Sequence, residues 1–556
     1  MTSAVQSRVA LPERLTALAL LGLAFLLRIP YVFLYRFNSD EPQHLHVVWG
    51  WKHGLVQYRD LFDNHAPLFH LAMAPLLALA GERAETLFVM RLSMLPLWLA
   101  ALALTFTIAR KLYDKRVALW AAVLLSVHFG FFFPSLEFRT DVLWAVVWLS
   151  ALAVLAGGPV TFGRALGVGM LLGVALGISQ KTVLLVGSLA AATALTLALT
   201  PGTRRQLSGR RVAVQAAAAA AGFVVAPLLL SASFWAAGAL GPLWHDTVQH
   251  NLLAGMGQRL SAARTLLFPA GLCLVLLLAR PMARSADGDR VRSLRLLLAL
   301  TAAIYYLFLL CFWPFITAQN WLPIDPLIAV LAVAGLGAWA KRRGDATAPA
   351  TVLAALLVAE LAVVIFRGPV WKNRAAPQVS LVRETLRLTE PSDCVIDQKG
   401  ETVFRRRASA WVLESVTMER LHRGLIPDTL PEDAVAARCC VATIQDDRFT
   451  PRARAFLERN FVRVGQLRVA GTLLGEPTGD LRPIAFTVAI PAQYAVVSES
   501  GEVGGKLDGS PYRGPRGLAA GAHEFVPETP TGPLATVWAP AAAKGFSPFP
   551  PWNVAR

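Results

Sequence analysis

The chain has 556 residues, of which 55% are hydrophobic and only 16% are charged, and its formal net charge is +17. Because about a quarter of the residues of an ordinary soluble chain are charged, this composition excludes a typical soluble enzyme. The apolar residues lie in runs suited to crossing the ~30 Å hydrocarbon core of a bilayer. The basic residues recur in short clusters between these runs, which argues against nucleic acid as a partner.

The first apolar run, residues 15–34, follows a short N-terminus that carries Arg8 and Arg14. No small-residue cleavage site follows this run, so it is expected to be a retained membrane span rather than a signal peptide. Loops rich in Lys and Arg mark the cytoplasmic face, and placing every basic cluster there predicts about eleven spans ending near Arg367. The segment 68–80 is too short to span and is predicted to lie at the outer interface.

The composition changes after Arg367, where short strand-like runs alternate with amphipathic helices. We therefore expect a transmembrane domain at residues 1–367, an extracytoplasmic α/β domain at 368–480 and an extracytoplasmic β-rich module at 481–556. The predicted helices are residues 377–389 and 451–460, and the predicted strands include 394–397, 441–444, 462–469, 485–490 and 494–498. Cys394, Cys439 and Cys440 allow one disulfide and leave one thiol over.

The first predicted outer loop, residues 35–66, is rich in carboxylates, histidines and aromatic residues. Adjacent carboxylates just beyond a membrane span are costly unless they are solvated or functional. This composition suits sugar recognition and proton transfer beside a membrane; the alternative is a hydrated interfacial loop anchored by tryptophans. The candidate site residues of this loop are Asp40, Glu41, His44, Tyr58, Arg59, Asp63 and His65.

Two further charged positions lie at the edge of or inside apolar runs. Asp141 directly precedes the run that starts at Val142, and Arg139 could pair with it. Lys181 lies within the apolar region 171–194 and requires an anionic partner, for which a phosphate would serve. The alternative for Lys181 is a role at a helix end, with its ammonium group reaching the interface.

The order of these motifs resembles the GT-C superfamily of membrane glycosyltransferases, specifically the glycosyltransferase family 39-like group of protein O-mannosyltransferases and lipid A aminoarabinose transferases. The resemblance covers about residues 15–340. It departs from the family at His65 and Ala66, where Lys often precedes a double proline, and at Trp321, which replaces a Tyr. The matching segments are Asp40-Glu41, Asp63-Asn64-His65-Ala66-Pro67-Leu68, Arg91-Leu92-Ser93-Met94-Leu95-Pro96, Arg139-Thr140-Asp141, Gly177-Ile178-Ser179-Gln180-Lys181 and Gln319-Asn320-Trp321-Leu322-Pro323-Ile324-Asp325-Pro326.

This resemblance implies a polytopic α-helical GT-C-like fold and a hexosyl- or pentosyltransferase. The enzyme would move a sugar from a polyprenyl-phosphate donor to a hydroxyl group of a glycan, lipid or protein, with inversion. The implied location is the extracytoplasmic face of the bacterial inner membrane, with the N-terminus cytoplasmic and the C-terminus extracytoplasmic. Membrane lipids are the other expected partners.

Roles for single residues follow from the same resemblance. Asp40 is expected to be the general base, Glu41 to hold the acceptor or a metal, and Asp141 to orient the acceptor or sugar. No cofactor is required; a divalent metal is possible, with His44 and His46 as candidate ligands. Cations are needed to stabilise the leaving phosphate, and the candidates are Arg59, His65, Lys181, Arg259 and Arg264. The expected substrate-binding residues are His44, Tyr58, Asp63 and Arg139.

Two alternative functions use similar features. A polysaccharide polymerase also uses lipid-linked sugars outside the cytoplasm. A transporter or flippase would use Lys181 and Asp141 as a substrate path, but transporters typically have inverted repeats and charged residues near mid-span. The sequence shows no internal repeat, and its charged residues gather at one face, which disfavours the transporter. The Asp40-Glu41 pair after the first span favours the transferase over the polymerase.

Overall fold

The computed structural model describes residues 9–205, 208–256, 261–283, 288–313, 315–344, 348–475, 482–529 and 532–550. Its helices are α1 (Leu11–Leu34), α2 (Asp40–Lys52), α3 (Leu68–Ala80), α4 (Thr86–Leu92), α5 (Met94–Leu112), α6 (Lys115–Val127), α7 (Phe129–Phe132), α8 (Thr140–Ala156), α9 (Phe162–Ile178), α10 (Thr182–Leu199), α11 (Pro201–Arg205), α12 (Gly209–Ala236), α13 (Leu240–Trp244), α14 (Ser261–Ala283), α15 (Asp289–Phe312), α16 (Asp325–Arg343), α17 (Ala348–Arg367), α18 (Ala376–Leu388), α19 (Ser415–His422), α20 (Leu430–Ala436), α21 (Pro451–Asn460) and α22 (Ala539–Ala543).

The strands all follow α18. They are β1 (Cys394–Ile396), β2 (Arg406–Arg407), β3 (Val441–Thr443), β4 (Phe461–Val464), β5 (Leu467–Gly475), β6 (Ile484–Val488), β7 (Ala492–Ser498), β8 (Gly501–Glu502), β9 (Gly505–Leu507), β10 (Ser510–Tyr512), β11 (Arg516–Leu518), β12 (Gly521–Pro527) and β13 (Leu534–Trp538). A π-helical turn at His245–Gln249 and a 3-10 turn at Ala318–Trp321 complete the regular structure of the described residues.

The chain divides into two compact units. The first unit, here called the helical unit, comprises Met1–Arg36, Asn64–Ala72 and Phe88–Asn373. The second, here called the sheet unit, comprises Phe37–Asp63, Met73–Leu87 and Arg374–Arg556. Most of the first predicted outer loop therefore folds with the C-terminal region.

The helical unit is built from long apolar helices. By length and composition, six helices of the described residues are able to cross a membrane, and α8 and α9 are shorter apolar helices. These long apolar helices confirm the prediction of a polytopic helical protein, whereas the number of eleven spans stays a prediction. The six long helices are Leu11–Leu34, Thr86–Leu112, Thr182–Leu199, Gly209–Ala236, Asp289–Phe312 and Ala350–Arg367.

Small residues allow α9 and α12 to pack with their backbones close together. A Cβ atom on Gly169 would clash with the carbonyl oxygen of Ala219, and one on Gly173 would clash with that of Phe223. Glycines spaced four apart are a common device for close helix contact in membranes, where apolar lipid removes the usual hydrophobic drive for association. We infer that backbone proximity stabilises this helix pair.

Arg91 fixes the end of the first helix. Its guanidinium group donates to the carbonyl oxygens of Val32 at 3.2 Å, Tyr35 at 2.7 Å and Arg36 at 2.7 Å. The last carbonyl groups of a helix have no partner within the helix, so this buried arginine supplies the missing donors. Arg91, the first residue of the family-like segment Arg91-Leu92-Ser93-Met94-Leu95-Pro96, therefore stabilises the chain where it leaves α1.

The sheet unit contains a nine-stranded and a four-stranded sheet. The main path of the larger sheet is β11-β7-β13-β5-β3-β1-β2, with β4 pairing β5 and β8 pairing β7. The smaller sheet has the order β10-β9-β12-β6. Because β13 hydrogen-bonds to β5 on one side and β7 on the other, the larger sheet is continuous across the predicted boundary at residue 480.

Most predicted elements of the C-terminal region are present. The predicted helices coincide with α18 and α21 to within one residue, and the predicted strand at 462–469 is the hairpin of β4 and β5. Within the predicted outer loop at 35–66, to which the sequence assigned no secondary structure, Asp40–Lys52 is helical. Every residue of α2 from Glu41 to Gly50 is buried, so the sequence lacks the one-sided apolar period of a surface helix.

Candidate active site

The first turn of α2 carries Asp40 and Glu41, which suits the positive end of a helix dipole. The backbone N–H of Asn38 donates to Glu41 Oε1 at 2.8 Å, and the N–H of Asp40 donates to Asn38 Oδ1 at 3.1 Å. These bonds close the turn that leads into the helix. Glu41 is fully buried, so its carboxylate helps to fix the orientation of its neighbour.

Asp40 forms an ion pair with Lys399, which sequence reasoning did not identify. The side chain of Lys399 is 6% exposed and that of Asp40 is 21% exposed. The Lys399 ammonium group also lies 3.3 Å from Ser39 Oγ. A neighbouring cation favours the ionised form of a carboxyl group, which is the form that can accept a proton.

The loop that carries Lys399 follows β1, at the carboxyl end of strands that run parallel. Asp397 organises this loop: its carboxylate accepts from Gly400 N at 3.1 Å, Thr402 Oγ1 at 2.7 Å and Arg407 Nε at 2.6 Å. Burial opposes ionisation of Asp397, but Arg407 and the hydrogen bonds outweigh it and lower its pKa. The sequence analysis did not single out this loop, although a polar run directly after a strand end is a common position for functional residues.

Glu401 closes the same loop from the other side. Its carboxylate accepts from the backbone N–H groups of Gln398 at 2.9 Å and Lys399 at 2.6 Å. Burial and the negative charge of Asp397 raise the pKa of Glu401 to about 7. The backbone that presents Lys399 is therefore held by a carboxyl group whose charge changes near neutral pH.

This raised pKa predicts a pH-dependent stability. A carboxyl group with a raised native pKa stabilises the fold most below its unfolded pKa of about 4.3, and this contribution is lost as the pH rises through the native value. The thermal unfolding midpoint is expected to fall between pH 5 and pH 8, and to fall less in Glu401→Gln. Glu432→Gln, at an exposed position, is the control; an equal fall in wild type and Glu401→Gln would contradict the assignment.

The remaining candidates of the sheet unit have varied surroundings. Asp63 is buried and accepts from Gln43 Nε2 at 3.4 Å and Gln57 Nε2 at 2.7 Å. Tyr58 is buried and adopts a φ of 74°, and its N–H donates to Leu61 O at 2.7 Å. These bonds give both residues a role in shaping the turn after α2.

Arg59 and the histidines of α2 complete the set in the sheet unit. The exposed Arg59 pairs with its neighbour Asp60 at 2.9 Å, and its hydrogen bond lowers the pKa of Asp60. His44 is buried, and His46 Nδ1 lies 2.7 Å from Val403 O. No group of three or more His, Cys, Asp or Glu side chains with a metal-binding arrangement occurs among the described residues.

The helical unit gathers a second charged cluster at the start of α8. Asp141, 1% exposed, lies 3.1 Å from Arg139 Nε and 3.0 Å from Lys181 Nζ. Glu137 lies 3.8 Å from Arg139 Nε and accepts a 2.7 Å hydrogen bond from Gln319 Nε2. The pairing of Arg139 with Asp141 agrees with the sequence, and Asp141 is the anionic partner that Lys181 required.

Lys181 is the most accessible member of this cluster. Its side chain is 19% exposed, and its ammonium nitrogen lies 5.7 Å from the centre of the Trp144 ring. An ammonium group has three N–H donors, and the hydrogen bond to Asp141 uses one. The cluster therefore presents a cation whose position is fixed by a buried carboxylate and an aromatic ring.

The remaining phosphate-binding candidates are His65, Arg264 and Arg259. His65 is half-buried and belongs to the helical unit. Arg264 lies in α14, and Arg259 lies outside the described residues. Asp40, Glu41, His44, Tyr58, Arg59 and Asp63 belong to the sheet unit, and Arg139, Asp141 and Lys181 to the helical unit.

Comparison with known proteins gives matches in structure. No protein-family model matches the chain, and no curated protein matches it in sequence. The chain is similar to ArnT from Cupriavidus metallidurans in the apo state, with a TM-score of 0.52 and 13% identity over 82% of this chain and 97% of that chain. The same protein bound to undecaprenyl phosphate matches with a TM-score of 0.52 and 13% identity over 83% and 98%.

A third match is the apo oligosaccharyltransferase of Archaeoglobus fulgidus, with a TM-score of 0.47 and 10% identity over 80% of this chain and 72% of that chain. ArnT is a lipid A aminoarabinose transferase of the GT-C superfamily. At this identity the likeness to ArnT concerns the fold alone. The chain therefore shares its fold with ArnT.

Proposed function

We propose that the protein is a membrane glycosyltransferase that moves a sugar from a polyprenyl-phosphate donor to an acceptor hydroxyl group, with inversion at the anomeric carbon. The observation that carries this proposal is the GT-C fold with a partly exposed carboxylate, Asp40, paired with Lys399 at the start of α2. The undecaprenyl phosphate bound to ArnT supports the class of donor. The identities of the sugar and the acceptor lie beyond this proposal.

The reaction needs a proton acceptor because an alcohol is a poor nucleophile at neutral pH. In the proposed step, Asp40 takes the proton of the acceptor hydroxyl group while the oxygen of that hydroxyl group attacks the anomeric carbon. The bond between that carbon and the phosphate oxygen breaks, and its electron pair leaves on polyprenyl phosphate. The products are the glycosylated acceptor, polyprenyl phosphate and a protonated Asp40.

The leaving phosphate needs fixed positive charge in the transition state. We assign this role to Lys181, because its ammonium group keeps two N–H donors beyond its bond to Asp141 and its side chain is partly exposed. Asp141 and Arg139 act as positioning residues for it. The ion pair between Asp141 and Arg139 limits the motion of the Lys181 ammonium group, and in this proposal neither residue contacts the donor.

The direct test is sugar transfer by the protein reconstituted in lipid vesicles. Polyprenyl-phosphate donors with a radiolabelled sugar are presented with glycan, lipid and protein acceptors, and the products are separated from intact donor. Expected is a labelled acceptor together with free polyprenyl phosphate, and an inverted anomeric configuration by NMR. Movement of intact donor between leaflets without cleavage would replace this proposal with a flippase.

We further propose that the sheet unit lies outside the cytoplasm of a bacterial inner membrane. Supporting this, Cys394 and Cys439 form a disulfide with Cα atoms 5.3 Å apart, and disulfides persist mainly in oxidising compartments. Cys440 is buried as a free thiol. A glycosyltransferase with a lipid-linked donor also fits that side, since nucleotide sugars remain in the cytoplasm.

Thiol counting tests this location. Protein unfolded without reduction is expected to react with maleimide-polyethylene glycol at the three free cysteines, and at all five after reduction. In Cys394→Ser, the number of modified cysteines should be the same with and without reduction. Reaction of all five cysteines without reduction would contradict an oxidising location for the sheet unit.

A further inference from the structure

The helical unit contains an open cavity between α5, α8 and the start of α9. Its volume is about 470 Å³, within the range of ~300–1,000 Å³ found for small-molecule sites. Among the described residues, no carboxylate lines this cavity. The wall has an apolar part, which includes Leu104, Ala153 and Val154, and a polar part, which includes Lys111, Ser150 and Arg164.

The cavity is remote from the proposed catalytic cluster. Asp141 lies in the first turn of α8, whereas the cavity is lined by the last two turns, from Ser150 to Gly157. At a rise of about 1.5 Å per residue, Gly157 is about 24 Å from Asp141 along the helix. The cavity therefore lies near the end of α8 that the basic segments of the sequence predict to be cytoplasmic.

Lys111, in the last turn of α5, turns back onto the end of α8. Its ammonium group donates to the carbonyl oxygen of Ala153 at 3.2 Å. An ammonium group has three N–H donors, so two remain for a ligand in the cavity. Lys111 forms no ion pair within the part of the chain that the structure describes.

Arg164 approaches the same helix end from the first turn of α9. A Cβ atom on Gly158 would clash with its guanidinium group, so a glycine at this position leaves room for the arginine. The one hydrogen bond of the guanidinium group is long, from Nη1 to Pro159 O at 3.5 Å. No carboxylate of the described residues pairs with Arg164, and its other N–H donors are available to an anion.

The positive charge here exceeds what the helix end can balance. The C-terminus of a helix carries about half of a negative elementary charge. Lys111 and Arg164 lie beside the end of α8, and Arg290 also donates to it, with its Nη2 3.3 Å from Ala156 O. Because Arg164 is in the first turn of α9, the positive end of a second helix dipole adds to the excess. An anion in the cavity would offset this charge.

The apolar part of the wall selects the kind of anion. Leu104 and Val154 belong to apolar helices, α5 within a segment long enough to cross a membrane. A phosphodiester that carries acyl chains can cover these side chains, whereas inorganic phosphate cannot. Basic pockets between membrane helices on the cytoplasmic side are suited to anionic lipid headgroups. A zwitterionic headgroup would place its own ammonium group against the two cations.

We propose that this cavity binds an anionic phospholipid, with Lys111 and Arg164 donating to the headgroup phosphate and the first part of an acyl chain lying along Leu104 and Val154. The bound lipid would join the ends of α5, α8 and α9. This inference does not rest on the proposed function, because the cavity and the catalytic cluster lie at different ends of α8.

The test is lipid binding to the full-length protein in detergent, followed by native mass spectrometry. Phosphatidylglycerol is expected to bind its first site at least about tenfold more tightly than phosphatidylcholine with the same acyl chains, since each basic residue favours an anionic headgroup by about fivefold. An equal excess of glycerol 3-phosphate or inorganic phosphate should not displace it. Equal binding of the two lipids would overturn the proposal, and displacement by either soluble anion would replace the lipid with a soluble phosphate.

Charge variants test the two donors. Lys111→Gln and Arg164→Gln are each expected to weaken phosphatidylglycerol binding about fivefold, and the double variant about thirtyfold. Lys115→Gln and Arg205→Gln remove exposed cations of the same predicted face that do not line the cavity, and should leave binding unchanged. Equal losses in the cavity variants and these controls would mean that the lipid is attracted only by general surface charge.

A cavity variant keeps both cations and removes the space. The Ser150 hydroxyl group donates only to Val146 O of its own helix at 2.8 Å, so Ser150→Phe should fold while its ring fills the cavity. It is expected to lose the preference for phosphatidylglycerol over phosphatidylcholine. A folded Ser150→Phe protein, with the elution volume of the wild type in size-exclusion chromatography, that kept this preference would overturn the proposed site.

Discussion

Asp40→Asn is expected to lower the rate of sugar transfer by about 10²–10⁴-fold, the usual contribution of a general base. An asparagine has nearly the same shape as aspartate but accepts no proton, so donor binding should remain within a fewfold of wild type. Single-turnover transfer and donor binding are measured separately on matched amounts of folded protein. Measuring the transfer rate and donor binding separately distinguishes the loss of a base from the loss of a binding contact.

The control for this variant is Asp447→Asn, which removes an exposed carboxylate of the same unit and should retain the wild-type rate. Asparagine at position 40 also leaves Lys399 without its carboxylate, so the unfolding midpoint of each variant is recorded. An unchanged transfer rate in a folded Asp40→Asn protein would remove Asp40 as the base. Asp141 would then be the next carboxylate to examine.

Asp141→Asn is expected to destabilise the helical unit by about 3–5 kcal/mol, the typical cost of breaking a buried ion pair. The variant leaves Arg139 and Lys181 facing a neutral amide at a buried position. The free energy of unfolding in detergent, measured by denaturant titration, reports the loss. Replacing Lys181 with methionine in the same protein should recover part of it, because one uncompensated charge is removed.

An ion pair with one exposed partner supplies the contrast. Arg116 Nε lies 2.6 Å from Glu13 Oε1, and the arginine side chain is 63% exposed. Glu13→Gln is expected to cost no more than about 1 kcal/mol, as for other surface pairs. If Asp141→Asn cost as little as Glu13→Gln, the buried cluster would not hold Lys181 in place.

The sequence was sufficient for some parts of this molecule. The interfacial helix predicted at residues 68–80 has the bounds of α3, and the Arg139–Asp141 pair was foreseen because the two residues are two positions apart. Lys399 was not foreseen, because it is 359 residues from its partner Asp40. A single sequence reveals the local spacing of residues and the period of its hydrophobic residues. A contact between two segments so far apart in the chain affects neither of these patterns.

The helix α2 illustrates a second limit of prediction from the sequence. Its residues are polar, aromatic and histidine-rich, and they are buried on nearly all sides. A helix whose every face is covered has no polar stripe to reveal its period. The sequence therefore indicated chemistry at Asp40 and Glu41 without indicating the element that presents them.

The position of β13 in the larger sheet constrains how the protein is made. β13 lies between β5 and β7, which it joins along both edges. Until residue 538 has been synthesised, β5 and β7 each expose one edge of unpaired backbone groups, and such edges invite pairing with other chains. Completion of the larger sheet by β13 is therefore expected to be a late step of folding.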